Sequence, residues 1–182
     1  MSLRLSGGRK LQSPPGDTAR PTASRVRLAV MNMLAAEIPQ ASWLELFCGS
    51  GVMGCEALQR GAARVVAVEQ DRAISQVARS NLQLVSSGLA SDPEVSVVNQ
   101  EVRHWLRTAA VTPFDLIYAD PPYAAELYGP VLEAISERGW LQPGGLVLLE
   151  YATKNPPERP AGWTLVKQKN YGGSSLMLLS QG

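Results

Sequence analysis

Short apolar runs alternate with helix-length amphipathic segments along most of this chain, and that alternation constrains the fold more than any other feature. Runs at 43–47, 64–69, 95–99, 114–119 and 146–151 read as strands, and the segments at 22–37, 52–60, 71–86, 101–109 and 125–138 read as helices. Strands that each feed a helix before the next strand build a parallel sheet covered on both faces. Asp71 is placed to cap the third helix, which closes near Gly88. After Tyr151 the pattern changes. A proline-rich loop over 153–162 precedes two further strand-like runs, 164–169 and 174–179, separated by Gly172-Gly173, and this reads as a hairpin. The expected fold is therefore α/β and Rossmann-like, a mostly parallel seven-stranded sheet ending in an antiparallel hairpin. Residues 38–182 form its main domain, and residues 1–37 form an extension within the same compact unit.

The bulk properties narrow the partners. No apolar run reaches the roughly 18 residues that a membrane helix needs, and Arg4, Arg9 and Lys10 near the start are not followed by the apolar core of a signal peptide. A cytoplasmic protein without a membrane partner is expected. Cys48 and Cys55 with His104 as the single histidine make neither a disulfide framework nor a zinc site, so no metal is expected. His104 reads as a surface residue of a short helix, and Cys55 as a core residue. The net charge is only +1, but residues 1–36 hold Arg4, Arg9, Lys10, Arg20, Arg25 and Arg27 against the single acid Asp17. A basic arm on a mildly acidic body suits phosphate contacts beside a catalytic domain, although charge runs also serve only to solvate a terminus.

The stretch from Glu45 to Gly54 places Gly49, Gly51 and Gly54 where the first strand turns into its helix. Glycine lets the backbone turn tightly and a ligand come close, and Glu69 follows at about 20 residues, the distance at which an acid takes ribose hydroxyls. Read alone, this pattern admits a nicotinamide enzyme equally. Glu45, ahead of the loop, resembles the acidic start of the first motif of class I methyltransferases, whose general plan the whole chain resembles. That resemblance implies S-adenosyl-L-methionine as cofactor. It assigns the ribose hydroxyls to Glu69 and the flanks of the adenine to Asp71 or Arg72 and neighbouring Gln70. Glu101 would meet the adenine amino group, with Val102 beside it, and Phe47, Gly49, Ser50 and Gly51 would form the loop.

Asp120-Pro121-Pro122-Tyr123 ends the fourth strand, at the carboxyl edge where open α/β sheets bind ligands. An exocyclic amine on a base is a poor nucleophile because its lone pair is delocalised into the ring. The Asp120 carboxylate can accept one N–H bond and the Pro121 carbonyl the other, with Pro122 stiffening the step. Two acceptors steer the nitrogen towards tetrahedral geometry and free its lone pair for attack on a methyl donor. Tyr123 would stack on the base once it is flipped or splayed out. Tyr118, inside the strand, reads as core.

The segment Arg20-Pro21-Thr22-Ala23-Ser24-Arg25-Val26-Arg27 opens a helix with Thr22 as cap. Arg25 and Arg27 then lie in its first turns, where cations oppose the helix dipole. This segment, the Gly7-Gly8-Arg9-Lys10-Leu11 element, the 45–54 loop and Asp-Pro-Pro-Tyr together resemble the RsmD family of bacterial 16S rRNA (guanine-N2)-methyltransferases. The resemblance implies methylation of one guanine amino group, within the small ribosomal subunit or an assembly intermediate, by a monomer. It also makes Arg4, Arg9, Lys10, Arg20, Arg25 and Arg27 the candidates for RNA phosphate contacts. The element after Gly7-Gly8 is shorter than the family's usual arrangement, which bears on the hairpin expected there. Two other readings stay open from the residues alone: an amino-methyltransferase acting on adenine N6 in DNA or RNA, and a binding module for ribosome assembly without turnover.

Overall fold

Strands buried on both faces must be apolar at nearly every position, and the central strands meet that demand. In β1 (Ser42–Leu46), Trp43 packs into the core layer on one face, and Leu44 and Leu46 into the layer on the other. The same holds for β2 (Arg64–Val68) and β4 (Phe114–Ala119). The computed structural model describes residues 3–16, 24–122 and 125–182. Its sheet is completed by β3 (Glu94–Val98), β5 (Leu141–Ala152), β6 (Trp163–Tyr171) and β7 (Ser174–Gln181), in the order β3-β2-β1-β4-β5-β7-β6. The pairs from β3 to β5 are parallel, whereas β7 runs antiparallel to both β5 and β6. The fold is the one expected from the sequence.

Among the described residues five α-helices cover the sheet: α1 (Ser24–Met33), α2 (Val52–Gln59), α3 (Arg72–Ser87), α4 (Val102–Thr108) and α5 (Tyr128–Arg138). The first three share one apolar layer with Trp43, Tyr118 and Leu176, while α4 and α5 share the opposite layer with Phe114, Trp140 and Met177. Large rings occupy that second layer. Trp105 stacks on Trp140 at 4.5 Å between centroids, and the Trp140 indole donates to the Leu106 carbonyl at 2.8 Å, so its buried N–H is satisfied. Asp71 caps α3 by accepting from the Ile74 N–H at 2.9 Å, and Gly88 ends that helix.

Two boundaries differ from the expectation by four residues or more. The first helix stops at Met33 rather than 37, because Leu34 and Ile38 reach the core through a turn that Pro39 closes. The fifth strand begins five residues earlier than 146. Pro143-Gly144-Gly145 reads as a turn in the sequence, but it forms an irregular stretch that keeps the strand paired with β4 through a register shift. Gly145 is required there: a Cβ would come within 2.8 Å of the Asp115 carbonyl.

The N-terminal segment is packed onto the domain. Despite its shortened form it makes a hairpin, with an antiparallel bridge between Arg4 and Lys10 and a Leu5 N–H to Arg9 carbonyl bond of 2.9 Å. Leu5 and Leu11 join the core layer of α1 to α3. The fully buried Glu56 of α2 accepts from the Ser6 N–H at 3.1 Å and the Ser6 hydroxyl, and pairs with Arg27 at 3.4 Å.

Candidate active site

Strand order reverses between β1 and β4, and the carboxyl ends of these two strands open the crevice where ligands bind in such sheets. The chain leaves β1 through Phe47, whose φ of +57° is unusual for a residue with a side chain, then turns through Gly49 at +53° and Gly51 at +78°. These glycines serve different purposes. A Cβ on Gly54 would lie 3.0 Å from both Glu45 Oε1 and Val65 Cγ1, and one on Gly51 3.3 Å from Ala78 Cβ, so both allow α2 to pack closely against its neighbours. Beside Gly49 there is open space, with no atom within 4 Å of a built Cβ.

The loop is held from below by carboxylates. Glu45, only 2 % exposed, accepts from the Gly54 N–H at 2.6 Å. Burial pushes its carboxyl up to about 8 against the pull of that N–H, and the nearby charges of Asp120 and Glu69 add to the rise. Glu45 lies beneath the loop and holds it in shape. Glu69 follows β2 and accepts from the Gly49 N–H at 3.1 Å and the Asp71 N–H at 2.8 Å, one on each oxygen. Each carboxylate oxygen has a second lone pair, so a diol can still be accepted.

Residues that the sequence reading passed over complete this half. Asn99, after β3, donates to the carbonyls of Glu69 and Gln70 at 3.0 and 2.9 Å and fixes the turn that carries the acid. Asn81 of α3 is buried, donates to the Ser50 carbonyl at 2.9 Å and exchanges two hydrogen bonds with Gln12, so it ties the N-terminal segment to the glycine loop. Its only sequence signal is an amide on the apolar stripe of a helix. Glu101 is the N-cap of α4, accepting from the N–H groups of Arg103 and His104, with Val102 buried beside it.

On the other side of the crevice, Asp120 follows β4 half-buried, Pro121 is buried and Pro122 is exposed. The charge of Asp120 reaches both Glu45 and the Tyr128 hydroxyl, which puts it within electrostatic range of the floor of the loop and of α5. Tyr128 donates to the Glu150 carbonyl at 2.6 Å, and burial first, then Asp120 and Glu150, push its hydroxyl above the usual range. Tyr123 and Arg20 lie outside the described residues, as does the expected helix cap, Thr22. The acidic hydrogen-bonding carboxylate at the end of β2, the free volume at Gly49 and the helix-capping acid after β3 fit a nucleoside-bearing cofactor.

Known proteins resemble this chain in sequence and in fold. A family model described as conserved hypothetical protein 95 matches residues 5–180. Ribosomal RNA small subunit methyltransferase D of Escherichia coli is 37% identical over 175 residues, covering 93% of this chain and 85% of that one. The Haemophilus influenzae protein of the same name is 34% identical over 166 residues, covering 91% and 84%. The chain belongs to the RsmD family. The solved structure of yhhF from Escherichia coli superposes with a TM-score of 0.84 at 34% identity, covering 100% of this chain and 98% of the other. As an RsmD-family protein the chain is a methyltransferase, and S-adenosylmethionine is its methyl donor.

Of the basic residues expected to reach RNA, the RsmD arm leaves Arg4, Arg9, Lys10 and Arg25 exposed. Arg27 is a correction. It is 5% exposed, pairs with Glu56 and donates to the Arg4 carbonyl, so it fastens the hairpin to α1 and α2 rather than facing a phosphate. A buried cation with two partners inside the protein has no donor to offer outside without breaking that cluster. Tyr118 is core as expected, 2% exposed and stacked at 6.1 Å on Trp43. No helix among the described residues is long and apolar enough to cross a membrane.

Proposed function

We propose that this protein methylates the N2 amino group of a guanine in 16S ribosomal RNA, presented by the small ribosomal subunit or an assembly intermediate. The observation that supports the reading is that Asp120-Pro121 follows β4 at the reversal of strand order, next to the end of β1 that leads into the Gly49 turn, with the charge of Asp120 reaching Glu45 beneath that turn. The names of the Escherichia coli and Haemophilus influenzae relatives give the substrate class. The cofactor supplies an electrophilic methyl group when bound.

In this reading Glu69 takes the ribose hydroxyls, Glu101 the adenine amino group, and Phe47, Gly49, Ser50, Gly51, Gln70, Asp71 and Val102 shape the rest of the cofactor pocket. The Asp120 carboxylate and the Pro121 carbonyl accept the two N–H bonds of the target amine and draw its lone pair out of conjugation. Neither Pro121 nor Pro122 has a backbone N–H to compete for those acceptors. In the same reading, the Asp120 carboxylate, already accepting an N–H bond of that amine, takes the proton that the alkylated nitrogen sheds. Catalysis then rests on positioning and on charge set in place beforehand. Tyr123 stacks on the base, and Arg4, Arg9, Lys10, Arg20 and Arg25 hold phosphates that fix its approach without reading sequence.

The test is transfer of labelled methyl to small subunits from cells lacking this protein, followed by mapping of the modified base. Label on a guanine amino group supports the reading. Label on adenine would assign the enzyme to the alternative substrate, and binding without label would leave only an assembly module.

A further inference from the structure

A groove of about 340 Å³ runs between α1 and the edge strand β6; Arg25, Lys167 and Lys169 line it with Asn32 and Tyr171 over an apolar floor of Leu28, Ala29 and Met33. Lys167, Lys169 and Tyr171 alternate along β6 and share one face, because successive strand residues point to opposite sides. Helix α1 offers Arg25 and Asn32 across from them, one stripe two turns apart. Among the described residues no acid lines the groove, and none of these three cations lies within ion-pair distance of one. Lys167 and Lys169 are exposed, and Arg25 reaches to within 3.6 Å of where a Cβ on Gly172 would stand, at the β6–β7 turn. Three like charges gathered without a counter-charge carry a repulsive cost that an external polyanion relieves.

The sheet register relates this groove to the reaction site. Ala119 of β4 is level with Leu149 of β5, Leu149 with Met177 of β7, and Met177 with Gln168 of β6. One residue further along each strand brings Asp120 level with Lys169. Both lie at the carboxyl edge of the parallel strands, three strand spacings apart, or about 14 Å. A polynucleotide whose target base enters at Asp120 therefore has β6 within reach of its next few nucleotides. The N-terminal hairpin lies elsewhere: its Gly7 faces Gln59 at the end of α2, and Arg9 sits against Gly88 at the end of α3.

We infer that this groove is a second phosphate-binding track, in which Arg25, Lys167 and Lys169 contact the sugar-phosphate backbone of the RNA flanking the target nucleotide. The inference rests on the proposed RNA methyl transfer and adds Lys167 and Lys169 to the contacts. Tyr171, half-buried at the rim, gives the chain a ring against which an unpaired base can lie.

The test compares the wild-type protein with Lys167→Glu/Lys169→Glu and with Arg107→Glu, an exposed charge reversal on α4 in the opposite layer. Each is assayed for binding of a naked 16S rRNA transcript and for methyl transfer to undermethylated small subunits. The double variant is expected to raise KM for subunits and Kd for the transcript about tenfold or more at moderate salt. Its kcat at saturation, thermal unfolding midpoint and cofactor affinity should stay at wild-type values. The slope of log K against log salt should fall by about 1.4, since each lost single-strand phosphate contact removes about 0.7. Lys167→Arg/Lys169→Arg should keep the wild-type values. Equal KM in the wild-type and double-variant proteins, or an equal loss in Arg107→Glu, overturns the inference. So does a loss confined to subunits with transcript binding intact, which would make the groove a contact for a ribosomal protein. A wild-type protein that labels no RNA at all sinks the methyl-transfer reading itself, and this inference with it.

Discussion

The two sides of the crevice are built differently. On the cofactor side, the ends of β1, β2 and β3 are cross-tied by Glu45, Glu69, Asn81 and Asn99, so its shape is fixed before a ligand arrives. On the proposed acceptor side, Asp120 is half-buried and Pro121 buried at the end of β4, followed by an exposed second proline. In the proposed reading, the cross-tied pocket holds the donor and the neighbouring strand end selects the base. The difference also predicts how substitutions sort: those on the acceptor side strike turnover, and those on the cofactor side strike stability and affinity.

Asp120→Ala separates the two sides most sharply. Loss of one preorganised electrostatic partner typically reduces kcat by about 10²–10³-fold, and that range is expected for methyl transfer here. Cofactor affinity, measured by titration calorimetry, should stay at the wild-type value, because Asp120 belongs to the other wall. Turnover near that of the wild type would remove the mechanism; a parallel loss of cofactor binding would erase the division between the sides.

Glu45→Gln probes the floor of the cofactor side through its pH dependence. The carboxyl titrates near 4.5 in the unfolded chain and at about 8 in the folded protein, so the folded state holds one more proton between those values. Stability from this group is fully present below the unfolded value and is lost as pH rises towards the folded one. Glutamine keeps an oxygen for the Gly54 N–H and does not titrate. Wild-type stability should therefore fall relative to the variant between pH 5 and 8, by on the order of a few kcal/mol in denaturant titrations. A difference that stays flat with pH would mean that Glu45 is ionised in place.

Gly54→Ala tests the packing of the same wall. Its Cβ would press at 3.0 Å on Glu45 and Val65, both deep in the core, and overpacking of this kind costs about 1–3 kcal/mol. Weaker cofactor binding should accompany the loss as the loop shifts. Normal stability would show that α2 can move outward freely.

The sequence exposed the cofactor wall far more fully than the acceptor wall's surroundings. Apolar runs long enough for a doubly covered strand, punctuated by glycine or an acid, mark β1, β2 and β4 because burial on both faces leaves few residue choices. The loop glycines were legible for the same reason. Asn81 and Asn99 were not, since an amide in a helix or after a strand announces nothing until the carbonyls it meets are brought together by the fold. Arg27 misled because charge in a sequence carries no direction: only the partner, Glu56 on another helix, turns it inward. The start of β5 was hidden by Pro143-Gly144-Gly145, a turn signal that tertiary pairing with β4 overrides.

Glu101→Asn addresses the smallest of the expected effects and the least settled boundary between frame and pocket. The glutamate carboxylate accepts the Arg103 N–H at 2.7 Å and the His104 N–H at 3.3 Å, so it caps α4 whether or not it also meets the adenine. Asparagine is among the best capping residues, and stability should change by less than about 0.5 kcal/mol. Its shorter, neutral side chain does not reproduce a carboxylate contact to an amino group. If Glu101 serves both roles, cofactor affinity should drop by up to about tenfold, the worth of one net hydrogen bond of roughly 1–1.5 kcal/mol. Unchanged affinity in a folded variant would confine Glu101 to the frame and leave the adenine edge to the backbone beside Val102.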